Sequence, residues 1–187
     1  MKFIKDNISL VSRLIVTHIG LAVFGIAVFM STNQISRGMM LAASIFCAVF
    51  YASIVYVTLW EAGANDKPAI DAGRLPASHG RGFYITLAGE MIVIVLVIVM
   101  LVASFFNQIS EVAGGICGVL YTVLVFADSC FTGIMLYLNP KGASFVLTAA
   151  IYLLGSLFIS GAGALGYAFG SRGISILPKK NAKNEKK

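Results

Sequence analysis

Three ionisable side chains interrupt runs that are otherwise apolar: His18, Glu90 and Asp128. A charge held at the centre of a bilayer costs about 2.5–3.5 kcal/mol or more, so such residues mark ion or proton pathways by default. Two carboxylates exchanging a proton, with an imidazole tuning them, would form a proton- or cation-linked site. The plainer reading keeps Glu90 or Asp128 protonated and bonded to Thr17, Ser44, Thr122 or a backbone carbonyl. Such interhelical contacts are worth about 0.6 kcal/mol on average. The proton-linked reading requires three apolar segments to meet at one depth.

The composition supplies such segments. Of 187 residues, 58% are hydrophobic and only 12% charged, and mean hydropathy is +0.89. Soluble domains carry about 25% charged residues, so this surface is built for lipid. Five runs are long enough to span a hydrocarbon core, which takes roughly 20 helical residues. They cover approximately 8–30, 38–60, 82–106, 112–138 and 144–170. Without water to bond the backbone each must be helical, and no alternating barrel pattern appears. The β-branched "VIVLVIVML" (93–101) would favour a strand in water; in lipid its length and all-round hydrophobicity prevail. The expected architecture is an all-α integral membrane bundle of five embedded helices in one domain, 1–177, followed by a basic disordered tail, 178–187.

Helix rise fixes the expected depths. At about 1.5 Å per residue, His18 lies about 15 Å in from Ile8, Glu90 about 12 Å from Gly82, and Asp128 about 15 Å from Leu138. In a five-span arrangement all three depths are measured from the face carrying the long loop. Orientation is harder, because five spans leave seven Lys or Arg on each side and the positive-inside rule gives no answer. Segment 112–138 carries Gly114, Gly115 and Gly118 near its start and Asp128-Ser129 inside it. If it dips in and returns, four spans remain, both termini share a side, and the tally becomes twelve against two. That alternative would take Asp128 out of the cluster.

The connectors "STNQISR" (31–37), "NQISE" (107–111) and "NPKG" (139–142) are short and polar; only 61–81 forms a sizeable loop. There, in "WEAGANDKPAIDAGR", Trp60 is expected to anchor the second span and Gly63 to release the chain from it. Asp66 would cap a short helix starting near Lys67-Pro68, and Gly73 would close it. The charge beyond that need makes Asp66, Asp71 and Arg74 candidates for docking a partner. Glu61, Asp66, Asp71 and His79 match no metal-ligand spacing.

Elsewhere the pattern is one of packing. Ala162, Gly166 and Gly170 recur every four residues, and "GYAFG" allows close helix approach, within the chain or to a partner or second copy. Gly20 and Ala27 form a lesser stripe. Phe46, Phe50, Tyr51 and Tyr56 read as packing or lipid contacts. Cys47, Cys117 and Cys130 sit in apolar runs without CxxC or metal spacing, as small buried thiols. The stretch after Lys2 and Lys5 is too long for a signal-peptide core and lacks a cleavage motif, so an uncleaved first span is expected. No nucleophile elbow, HExxH or phosphate-binding loop is present, no cofactor is implied, and the net charge of +6 suits lipid headgroups rather than nucleic acid.

"RLIVTHIGLAVFG" (13–25), "FYASIVYVTLWEAGANDKPAIDAGR" (50–74) and "GALGYAFGSRGIS" (163–175) together resemble a family of small, uncharacterised bacterial multi-pass membrane proteins. Its most distinctive element is Trp-Glu-x-Gly-Ala-x-Asp…Gly-Arg, and Arg81-Gly82 fits the basic residue before the third helix. The resemblance implies a membrane location and a bacterial source, with loop 61–81 cytoplasmic, and it carries no activity. The expected function is a non-enzymatic cell-membrane subunit or regulator acting through helix and loop contacts with a partner. The alternative is a small transporter or substrate-binding component, proton-linked through His18, Glu90 and Asp128, with its substrate unknown.

Overall fold

A computed structural model of the chain describes residues 7–76, 80–107, 109–140 and 144–174; the expected tail, 178–187, and His79 lie outside them. The described residues are helical, without strands: α1 (Ile8–Asn33), α2 (Arg37–Asp71), α3 (Arg81–Gly89), α4 (Met91–Phe106), α5 (Glu111–Ala127), α6 (Ser129–Leu138) and α7 (Phe145–Ser171). Helices α1, α2 and α7 are long and apolar enough to cross a membrane, and α3 with α4 makes a fourth span if the pair, bent by 67°, counts as one. Five straight spans are therefore not what forms. The run 82–106 breaks at Glu90, and 112–138 breaks at Asp128 into helices of 17 and 10 residues. Each is shorter than the roughly 20 residues that a span needs.

The expected loop 61–81 is also corrected. Helix α2 does not end near Trp60 but runs unbroken to Asp71, with Pro68 inside its last turn. Gly63 releases nothing: it is a contact point, where the Tyr167 carbonyl and the Ser171 N–H of α7 press against its bare Cα. No separate helix starts at Lys67, and Asp66 caps none. Gly73 does terminate the helix, at φ 69°. Its N–H bonds the Ile70 carbonyl at 2.9 Å, and the Arg74 N–H reaches Ala69 at 2.9 Å. That is the paired Schellman pattern, in which a left-handed residue favours glycine. Gly173 ends α7 in the same way, at φ 72°.

Helices α2 and α7 run parallel and in contact. Tyr56 meets Gly166, Trp60 meets Gly170, and a Cβ on either glycine would be driven into an α2 backbone carbonyl. The small-residue repeat of the sequence thus packs inside the chain, with Ala162 half-buried beside the core. Helix α1 lies antiparallel to α2, pairing Arg13 with Glu61 at one end and setting Phe24 at a tilt against Phe50 further along. Helix α3 starts beside that first end, where Arg81 meets Asp66 and Asn7, and descends to Glu90. The core between these elements holds Leu59, Ile85, Val97, Met100, Leu124, Tyr152 and Ile159, none more than 1% exposed.

Helices α5 and α6 form a hairpin. The Thr132 hydroxyl donates to the Val125 carbonyl at 2.9 Å, seven residues back, which a straight helix would hold about 10 Å away. Both legs open toward the end of the bundle where α1 passes into α2. Arg37 donates to the Tyr137 carbonyl at 3.3 Å, Asn139 donates to Ser144 at 2.6 Å, and Tyr121 meets Phe145. Leu138 therefore sits at the end opposite the 72–80 connector.

Gly161 faces open space, whereas Gly170 has the Trp60 carbonyl against it. Gly170→Leu should lower the unfolding midpoint in mild detergent by the equivalent of at least about 1–3 kcal/mol, the usual cost of overpacking. Gly161→Leu should leave it within error.

Candidate functional site

The two helix breaks deliver the two carboxylates. At Glu90 the N–H still bonds Thr86 at 3.0 Å and the carbonyl accepts from Ile94 at 3.1 Å, so Glu90 itself keeps both backbone bonds as the chain turns. At Asp128 the backbone leaves helical geometry, φ −122° and ψ 47°. Both carboxylates are 2% exposed. His18 of α1 and Tyr51 of α2 enter from the other side, their rings tilted 60° with centroids 5.6 Å apart. His18, Glu90 and Asp128 are thus gathered around one point, as the cluster reading requires. Asp128 arrives from the face opposite the long connector, at the tip of the α5–α6 hairpin, so folding back does not remove it from the cluster.

The hydrogen bonds define a chain. Tyr51 Oη and Glu90 Oε1 are in hydrogen-bond contact. His18 Nδ1 lies 2.9 Å from Tyr51 Oη and 3.3 Å from Glu90 Oε1. His18 Nε2 faces the Ala127 carbonyl at 3.0 Å. A carbonyl only accepts, so Nε2 carries a proton and Nδ1 is the exchangeable position. Two proton arrangements then satisfy every contact. In one, ionised Glu90 accepts from Tyr51, whose oxygen accepts from Nδ1–H of a charged His18. In the other, protonated Glu90 donates to Tyr51, which donates to Nδ1 of a neutral His18. They contain the same protons and differ by a concerted shift along three groups.

Asp128 is the odd member: its Oδ2 is buried without a hydrogen-bond partner among the described residues. It borders a small void together with His18, Tyr51, Ser129 and Cys130. The backbone around it is better supplied. Ser129 donates to the Ala22 carbonyl at 2.6 Å, Ser44 to Cys130 at 2.6 Å, and the Cys130 thiol lies 3.6 Å from the Leu21 carbonyl. Gly25 lets this tip approach α1, since a Cβ there would strike Ser129 Oγ. Of the polar partners expected for the carboxylates, Ser44 serves the Cys130 carbonyl and Thr122 bonds its own helix at Gly118.

The docking candidates divide. Asp66 accepts from Arg81 at 2.9 Å and from the Tyr167 hydroxyl at 2.8 Å, half-buried where α2, α3 and α7 meet. Asp71 is exposed and paired with Lys67 one turn back at 2.8 Å, and Arg74 is exposed in the turn beyond. Two participants escaped sequence reasoning. Tyr51 was grouped with packing aromatics, although a mid-span phenol must place its O–H somewhere. The Arg81–Asp66–Tyr167–Asn7 network joins four segments; Arg81 and Asp66 stood out singly, Asp66 as a cap and docking candidate, but not as partners. Among the described residues no group of three His, Cys, Asp or Glu side chains could hold a metal ion. No family model, curated protein or solved structure matches the chain.

An unpartnered buried carboxyl costs about 1–3 kcal/mol, and an apolar group of similar shape removes that cost. Asp128→Leu should therefore hold or raise the unfolding midpoint. Tyr51→Phe, which strips a partner from both Glu90 and His18, should lower it by a similar amount.

Proposed function

We propose that the protein is a small, non-enzymatic, proton-linked transport component of a cell membrane, working at the Glu90–Tyr51–His18 chain. The observation that carries this reading is that continuous chain, enclosed beside Asp128 where two broken helices meet at half depth. Coupling-ion sites of transporters are typically formed near the bilayer midplane by discontinuous helices, because a break aims backbone and side-chain dipoles inward. A proton entering at Glu90 can leave at His18 without a charge crossing open hydrocarbon. Asp128, with an oxygen lacking a partner, is the second proton or cation acceptor.

The matching topology is four spans, α1, α2, bent α3–α4 and α7, plus a re-entrant α5–α6 hairpin. The fold-back at Thr132–Val125 and the shared opening of both legs support it. The start of α1 and the end of α7 then lie on one side with the 72–80 connector. Among the described residues that side holds Arg13, Lys67, Arg74, Arg81 and Arg172, and the other holds Arg37. The positive-inside rule makes the first side cytoplasmic.

The reading as a partner-binding subunit loses its first support, because Gly166 and Gly170 are engaged by α2. It retains the exposed Asp71 and Arg74 at the cytoplasmic end, where acids stand beside bases.

In proteoliposomes carrying a pH gradient, Glu90→Gln and His18→Phe should each cut protein-dependent proton flux to background, and Asp128→Asn should impair it. Wild-type flux in the Glu90→Gln protein would remove the reading. For topology, single cysteines at Asp71 and Arg172 should label from the cytoplasmic side, and those at Ser36 and Ile109 from the other. Opposite labelling of Asp71 and Arg172 would restore five spans.

A further inference from the structure

The three helices that carry the proton chain meet a second time, at their cytoplasmic ends. His18, Tyr51 and Glu90 form the chain, and Asn7, Asp66 and Arg81 stand at the far ends of the same elements. One guanidinium joins this second group. Arg81 Nη2 donates to Asn7 Oδ1 at 2.8 Å, Nη1 donates to Asp66 at 2.9 Å, and the group sits over the Tyr167 ring. At about 1.5 Å per residue the two polar groups are about 14 Å apart along α3 and about 16 Å along α1. Between them lie Val11 and Leu14 of α1, Val55, Thr58 and Leu59 of α2, and Ile85 of α3. None of these is more than 8% exposed, and all but Thr58 are apolar. Asn7, Val11, Leu14 and His18 fall on one face of α1 by helical spacing. The chain is thus closed to the cytoplasm by a hydrocarbon layer beneath a charged cluster.

The parts of this seal are not held alike. Helices α2 and α7 touch backbone to backbone, and α3 joins them where Gly82 meets the Gly163 carbonyl. Helix α1 buries only Val11, Leu14, Leu21 and Gly25. The last two lie against the hairpin, where the Leu21 carbonyl accepts from the Cys130 thiol and Gly25 sits close to Ser129. His18 is fixed by Tyr51 and Ala127. Ahead of it come two turns whose buried side chains are Val11 and Leu14, with Leu14 against Gly89. Their polar holds include Arg81 to Asn7 and the exposed Arg13–Glu61 pair, 3.5 Å apart. An exposed pair contributes little, which leaves Arg81 as the stronger of these two. We infer that the first two turns of α1, Ile8–Leu14, are a gate over the proton chain, latched shut by Arg81. When Asn7 leaves Arg81, Val11 and Leu14 withdraw from beside Gly89, and water reaches Glu90 from the cytoplasm while His18 stays bonded. The inference rests on the proton-linked reading and adds control of access to the same site.

The test uses the full chain with Cys47, Cys117 and Cys130 replaced by alanine and one reporter, Thr58→Cys, at a position 5% exposed within the apolar layer. Inside-out vesicles receive the impermeant thiol reagent sulfonatoethyl methanethiosulfonate. Asn7→Ala frees the gate and leaves Arg81 on Asp66 and Tyr167, so it should speed labelling roughly tenfold, as for one lost charge-assisted hydrogen bond. Arg81→Met should do so at least as strongly. A control reporter, Met100→Cys, fully buried on α4 beyond the Glu90 break, should not change. Equal rates with and without the Asn7 side chain mean that Arg81 is structural only, and a rise at both reporters alike means general loosening; either overturns the inference. The reverse experiment locks the gate. Arg13→Cys with Glu61→Cys, at the exposed pair, bridged by a bifunctional methanethiosulfonate, should cut Glu90-dependent proton flux in proteoliposomes to background, and a reductant should restore it. Glu90-dependent flux that the bridge leaves intact sinks the gate alone; latch-dependent labelling without Glu90-dependent flux sinks the transport reading alone.

Discussion

Breaking a helix inside an apolar layer releases backbone groups that no water can satisfy, and the rest of this molecule answers that constraint. At the Asp128 break side chains supply donors that the backbone ladder no longer provides. His18 serves the Ala127 carbonyl, Thr132 serves Val125 and Ser44 serves Cys130. In return Ser129 gives its hydroxyl proton to Ala22 on α1. Three hydroxyls, those of Ser44, Ser129 and Thr132, thus bond where the helix stops and turns, while others such as Thr122 bond their own helix.

Side chains recruited for that purpose sit beside the two carboxylates, and this joins structure to chemistry. His18 holds the hairpin through Nε2 and leaves Nδ1 to the chain that ends on Glu90. One residue thus supports the fold with one nitrogen and joins the hydrogen-bonded chain with the other. The opposite half is rigid for a different reason. Helices α2 and α7 touch backbone to backbone at Gly63, Gly166 and Gly170, and Arg81 clamps their C-terminal ends through Asp66 and Tyr167. A stiff pair of helices therefore presents Tyr51 to a part of the molecule held mainly by side chains.

The sequence made the class, the helical content and the three intramembrane ionisable residues legible, because burial of charge is costly enough to leave a signal in composition alone. It misjudged where helices end. Gly63 looked like an exit, yet glycine serves equally for close approach, and only the presence of α7 distinguishes the two. Pro68 and the charges around it suggested a loop, while Asp66 and the Lys67–Asp71 pair in fact hold the last turns of α2. The breaks at Glu90 and Asp128 were invisible to hydropathy, since a bent helix and a straight one bury the same apolar residues. The glycines of 114–118 and the Asp128-Ser129 pair hinted at the second break, and the first left no comparable mark. Tyr51 was passed over because its role depends on a proton acceptor 39 positions away.

The hairpin also implies an order of assembly. At about 1.5 Å per residue α6 measures roughly 15 Å and α5 about 25 Å, so neither leg alone reaches across the hydrocarbon. Its tip is bonded by His18, Leu21 and Ala22 of α1 and Ser44 of α2, and its open end by Arg37 of α2, all synthesised first, whereas Ser144, which heads α7 and also bonds the open end, is synthesised last. Until α7 arrives, the segment between Glu111 and Leu138 lacks its bonds to Ser144. Final seating of α5–α6 therefore follows insertion of the last span, so the most polar part of the interior settles latest. A chain that lost α7 would be left with a hairpin lacking its Ser144 contact, a natural target for membrane quality control.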